Sequence, residues 1–167
     1  MKLLFLPFVF LFSNYFRMHT HEKVVQPERP ITIYDFKLSA LHGSTIDFSK
    51  YTLAENLPVD AQIIFWGRIE RVKGCHTAIK IAKLTGNNLI IAGNISPLEE
   101  EKLYFENEIK PHIDGVQIQY VGALDDDQKN VYLGKAKALL FPIEWNEPFG
   151  IVMIEAMACG TPVLGFK

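Results

Sequence analysis

From Asp60 onward, short apolar runs alternate with longer stretches in which apolar residues recur at three- and four-residue spacing. Gln62 to Trp66, Asn88 to Ala92, Val116 to Val121 and Ala138 to Phe141 read as strands, and Pro162 to Leu164 begins a fifth. Ala138 to Phe141 is apolar throughout, as a strand covered on both faces should be, whereas Val116, Ile118 and Tyr120 alternate with Gln117 and Gln119. Helices are expected between the strands. One spans Cys75 to Leu84, with Ala78, Ile81, Ala82 and Thr85 on one face. Another spans Pro97 to Ile109, with Leu98, Phe105 and Ile109 as its core stripe and Glu99-Glu100-Glu101 as a solvated first turn. A third runs from Asp125-Asp126-Asp127 to Lys137. This alternation predicts the α/β class, a Rossmann-like, doubly wound parallel sheet. Ligands of such sheets bind beyond the carboxyl ends of the strands, where the loops Gly67 to Gly74 and Pro142 to Glu147 fall.

The last helix differs in composition. Pro148 suits a first helical turn and Gly160 suits the residue past the end, so the helix is expected to begin directly after Glu147. Within it only Glu155 is charged, and its neighbours Ile151, Val152, Ala158 and Cys159 are apolar. A helix apolar on every side should be buried, and a buried carboxylate needs partners, so Glu155 is expected to face a polar ligand or cleft. Glu147 stands about 12 Å away at roughly 1.5 Å per residue. It lies beyond a helix N-terminus whose free N–H groups attract phosphate. A long, phosphate-bearing ligand suits that arrangement.

Upstream the pattern is less regular. Residues 1–30 form an apolar N-terminal segment, Leu3 to Phe12, followed by a polar, proline-bearing linker from Gln26 to Pro30. The apolar run is short for a membrane span and no small-residue cleavage site follows it, so we read it as the remnant of an earlier domain. Ile31 to Phe36 reads as a short extended segment and Leu41 to Phe48 as a turn-rich connector. Residues 31–60 are thus an interdomain connector and 61–167 the ligand-binding domain.

Composition narrows the choices. At 167 residues and 49% hydrophobic content there is material for one ordinary core. A formal net charge of -2 gives no basic footprint, so nucleic acid is not an expected partner. Cys75 and Cys159 read as reduced, buried thiols, which points to the cytoplasm, with a membrane surface as a further option. His19, His21, His42, His76 and His112 lack the spacing of a metal site. Asp125-Asp126-Asp127 contains an Asp-x-Asp pair, but a helix pattern starts at once behind it, so it reads as a cap. No metal and no cofactor are expected.

Arg68 and Lys73 place two cations in one strand-to-helix loop, beside Gly67 and Gly74. Alone, a solvated basic loop would explain them as well as a ligand would. A Walker loop needs glycine before its lysine and Ser or Thr after it, whereas here glycine follows Lys73 and cysteine comes next, and the dinucleotide fingerprint Gly-x-Gly-x-x-Gly is absent. A guanidinium and an ammonium opposite a helix N-terminus would nonetheless clamp a diphosphate.

Taken together, Gly67-Arg68, Lys73-Gly74, Glu147-Pro148-Phe149-Gly150 and Glu155 to Val163 resemble the donor-binding half of the group 1, or family 4, retaining glycosyltransferases of the GT-B fold. Seven residues separate the two glutamates, as that family's signature has it. The resemblance covers Leu41 to Lys167 and implies roles. Arg68 and Lys73 would bind the donor diphosphate and stabilise the leaving nucleotide. Glu155 would bind the ribose, and Glu147 the transferred sugar. The Phe149, Gly150 and Ile151 N–H groups and Gly67 would line the donor, with Val121 and Leu124 near the base. The resemblance implies a nucleotide-diphosphate sugar as donor, an acceptor that is a glycan, lipid or small molecule, and no catalytic metal. It also implies a missing N-terminal acceptor domain, so the chain reads as a truncated C-terminal half, inactive by itself. A non-catalytic nucleotide-sugar binding module and a GT-B epimerase or hydrolase are the alternatives.

Overall fold

The computed structural model describes residues 32–35, 37–39, 45–54 and 56–166, all in one compact unit, Thr32–Lys167. The apolar N-terminal segment, the linker at 26–30, and His19, His21 and His42 lie outside the described residues. Strands β1 (Lys37–Ser39) and β2 (Thr45–Asp47) pair antiparallel. The second falls where a connector is expected from sequence. Ile33–Asp35 is a 3₁₀ turn and not an extended segment, because the Asp35 carboxylate accepts from the Thr32 N–H at 2.7 Å and closes the chain on itself.

Five parallel strands follow: β3 (Ile63–Trp66), β4 (Leu89–Ala92), β5 (Ile118–Gly122), β6 (Ala138–Phe141) and β7 (Val163–Gly165), in the spatial order β5-β4-β3-β6-β7. The connecting helices are α1 (Cys75–Thr85), α2 (Glu99–Tyr104), α3 (Asp126–Lys135) and α4 (Ile151–Ala158). α2 runs on as a π-helical turn, Phe105–Ile109, and a 3₁₀ turn, Lys110–His112. The two-residue period of the strands divides the core. Ile63, Phe65, Leu89, Ile91 and Leu140 pack under α1 and the α2 segment, while Ile64 and Leu139 pack under α3 and α4 on the other face. The sheet is doubly wound, as expected.

Several faces differ from the sequence expectation. α1 buries Cys75, Ala78, Ile79 and Ala82, whereas Thr85 is exposed and donates its hydroxyl to the Ile81 carbonyl. Leu98 is exposed as the residue before α2, and Tyr104 takes the core place beside Phe105 and Ile109. Val116 is exposed too, because Asp114 draws the N–H groups of Val116, Gln117 and Ile118 into a turn that delays the strand. Asp125 caps α3 in a capping box with Gln128, as its position implies. The end of α4 is tied to α3 through Thr161, whose hydroxyl donates 2.5 Å to the Leu133 carbonyl. Among the described residues, no helix is long and apolar enough to cross a membrane.

Candidate functional site

Strand order reverses between the central strand β3 and its neighbour β6, and both run toward the same edge. That switch point opens a crevice at their carboxyl ends, the usual ligand position in a doubly wound sheet. The loop after β3 holds Arg68 and Lys73, and the loop after β6 holds Glu147.

These two loops are stitched together. The Glu144 N–H donates to the Val72 carbonyl at 3.0 Å. Gly74, at φ +77°, lies so close to the Pro142 carbonyl that no side chain fits between them. His76 also reaches across, its Nε2 lying 3.7 Å from Glu144 Oε1.

The structure brings Lys73 and Glu147 together. Lys73 Nζ is 2.5 Å from Glu147 Oε2, with the lysine side chain only 14% exposed. Trp145 completes the group, its ring 4.7 Å from the ammonium and its indole N–H donating 3.0 Å to the same glutamate oxygen. Arg68 does not join them. Its side chain is 65% exposed and pairs with Glu70 at 3.2 Å.

Glu147 is separated from α4. The helix starts at Ile151 and not at Pro148, because Gly150 adopts a left-handed conformation, φ +68°, and turns the chain before the helix begins. Nor is α4 buried all round, since Ile151 and Met157 are exposed. Glu155, however, is only 4% exposed. It has partners: the Tyr51 hydroxyl donates to Glu155 Oε1 at 2.6 Å and Lys129 Nζ donates to the same oxygen at 2.9 Å. Burial, and then the bonded Glu155 carboxylate, push the Tyr51 hydroxyl far above its ordinary range, so it remains a donor. Lys129 also lies 5.6 Å from the Trp66 ring and 3.3 Å from Asp126.

Two hollows meet at the first turn of α4. The smaller, about 150 Å³, is lined by Gly67, Arg68, Lys73, Glu147 and Gly150, together with Trp66 and Phe141. The larger, about 390 Å³, is lined by Glu155, Tyr51, Lys129, Lys50 and Asp126. Ile151 and Val152 border both. The two glutamates therefore stand in adjoining compartments on either side of a helix N-terminus. Phe149 is exposed and lines neither hollow; nor do the half-buried Val121 and Leu124. Tyr51, Lys129 and Trp145 were not anticipated from sequence.

Residues 52–167 match the model of the family described as glycosyl transferases group 1. The chain belongs to that family. Glycogen synthase of Mycobacterium tuberculosis is 31% identical over 126 residues, which cover 71% of this chain and 29% of the synthase. AviGT4, a glycosyltransferase involved in avilamycin A biosynthesis, superposes with a TM-score of 0.60 at 27% identity, over 72% of this chain and 37% of that one. The C-terminal domain of the group 1 protein LpcC from Francisella tularensis shares the fold, with a TM-score of 0.57 at 23% identity over 72% of this chain and 69% of that domain. The five-stranded sheet is thus the Rossmann-like sheet of GT-B glycosyltransferases. The chain spans less than a third of the synthase and little more than a third of AviGT4.

Proposed function

We propose that the chain holds the nucleoside-diphosphate sugar donor of a retaining, metal-independent glycosyltransferase. The observation that carries this reading is the pair of adjoining hollows, with Lys73 and Glu147 in one, Glu155 in the other, and the first turn of α4 between them. A nucleoside diphosphate has the same layout: a vicinal diol at one end, anionic phosphates in the middle, and the sugar beyond. Glu155 takes the diol. The diphosphate lies against the N–H groups of Gly150 and Ile151 at the helix N-terminus, with Arg68 and Lys73 on its flank and Gly67 beneath it. Glu147 contacts the hydroxyls of the transferred sugar. Phe149, Val121 and Leu124 are outer contacts, the last two toward the base.

Catalysis then rests on charge. As the glycosidic bond breaks, negative charge collects on the departing diphosphate. A fixed ammonium and a helix N-terminus stabilise it more than they stabilise the bound donor. Lys73 serves this step only after exchanging Glu147 for phosphate oxygens, which leaves Glu147 free to accept from the sugar. The acceptor, a glycan, lipid or small molecule, binds outside the described residues. Two buried, unpaired thiols suit a reducing compartment such as the cytoplasm.

Calorimetry of the full chain against UDP-, GDP- and ADP-sugars in excess chelator tests the reading. Binding of one class that persists in chelator supports it, and once an acceptor-binding half is supplied so that transfer occurs, 1H NMR of the transferred sugar should show the donor's anomer. Loss of all binding on chelation, or an inverted anomer, would refute the metal-independent or the retaining part respectively.

A further inference from the structure

Glu155 is the most deeply buried carboxylate among the described residues, and both of its hydrogen bonds end on one oxygen. Tyr51 comes from the segment after β2 and Lys129 from the first turn of α3, so two distant elements converge on Oε1. Among the described residues, Oε2 accepts no hydrogen bond, although a carboxylate oxygen has two lone-pair positions to fill. That oxygen is not sealed off from solvent, since Gln62 Oε1 is the one fully buried unpartnered side-chain acceptor among the described residues, so a ligand donor can reach it from the 390 Å³ hollow that Glu155 lines. Phosphate would be repelled there, whereas neighbouring hydroxyls offer donors without charge.

We infer that Tyr51 and Lys129 are positioning residues that grip Glu155 by one oxygen and present the other to the ribose hydroxyls of the donor. The inference rests on the donor reading above and adds to it the part of the chain that fixes ribose recognition. Two bonds to one oxygen, from directions set by separate elements, fix the torsion of the carboxylate. Lys129 is itself held in place, between Asp126 and the Trp66 ring. A carboxylate held in this way makes its ligand bonds with little loss of rotamer freedom.

The alternative is that the three side chains form an ion pair that only fastens α3 to α4. Coupling between protein and ligand changes separates the two. The full chain is titrated by calorimetry with UDP, GDP and ADP and with their 2′,3′-dideoxy counterparts. Wild type is compared with Tyr51→Phe, Lys129→Met and Lys129→Arg, and thermal melts check folding. The tightest nucleoside diphosphate should lose about tenfold or more in affinity without its hydroxyls. In Tyr51→Phe and Lys129→Met that ratio should shrink to about threefold or less, with dideoxy affinity nearly unchanged, and Lys129→Arg should restore part of it. An unaltered ratio in the folded variants overturns the inference while leaving the donor reading in place. Should Lys129→Met fail to fold, the nearly isosteric Tyr51→Phe decides alone. Wild type that binds no nucleoside diphosphate overturns both.

Discussion

The backbone of Gly74 lies directly against the carbonyl of Pro142, so the loops after β3 and β6 touch where the sheet reverses its winding. Alanine at residue 74 would meet both a left-handed φ of +77° and a carbonyl oxygen that cannot yield. Gly74→Ala should therefore destabilise the chain by more than about 2 kcal/mol. Gly86 has a similar φ of +67° but open space around it, so Gly86→Ala should cost only about 1 kcal/mol. Urea unfolding of the two variants side by side checks the difference; equal costs would mean that the contact with Pro142 is unimportant.

Lys73 and Arg68 share a loop, but their surroundings predict unequal effects. Lys73 is largely buried against Glu147 and Trp145, while Arg68 is mostly exposed beside Glu70. Lys73→Ala should weaken nucleoside-diphosphate binding by about tenfold or more, and Arg68→Ala by only about two- to threefold, because solvent and salt screen an exposed charge. Calorimetry at two salt concentrations gives both numbers. A larger loss for Arg68→Ala would mean that its side chain swings inward on binding.

The order of elements was readable because each strand is a short apolar run with a turn signal behind it. The Asp125 cap was readable because all its partners are local. What stayed hidden had non-local causes. Glu155 meets Tyr51 across 104 positions of chain and Lys129 across 26, and no spacing rule links them. Pro148 is a fair helix opener, yet the left-handed turn at Gly150 decides where α4 begins. Trp145 gave a nearer signal, two positions from Glu147, but its bond to that glutamate depends on how the whole loop folds.

Asp125 should act as a cap and nothing more. Asp125→Ala removes the side-chain acceptor for the Gln128 N–H and should cost about 1 kcal/mol in urea unfolding. Nucleoside-diphosphate affinity should stay the same, with or without added Mg²⁺. A magnesium-dependent loss of binding in this variant would assign the aspartates to a metal instead.

Both thiols should be unreactive in the native protein. Burial, and then the Glu155 charge, push Cys159 up to about 11, and burial alone pushes Cys75 higher still. At pH 8 alkylation with iodoacetamide should be negligible in buffer and reach both cysteines in denaturant, read by mass spectrometry. The linkage follows in sign: for an acid whose folded value is raised, the stability contribution is complete below the unfolded value. For Cys159 it is lost as pH climbs from 9.0 toward about 11. Stability measured across that window should fall, and a rise would contradict the assignment.

Only two tryptophans occur in the chain, and both sit at the switch point. Trp66 lines the smaller hollow, and Trp145 leans on the Lys73 ammonium with its N–H on Glu147. With excitation selective for indole over the six tyrosines, the emission of the protein therefore comes from the site alone. Any ligand that separates Lys73 from Glu147 changes the charge beside one emitter, which gives an unlabelled optical signal for screening donors.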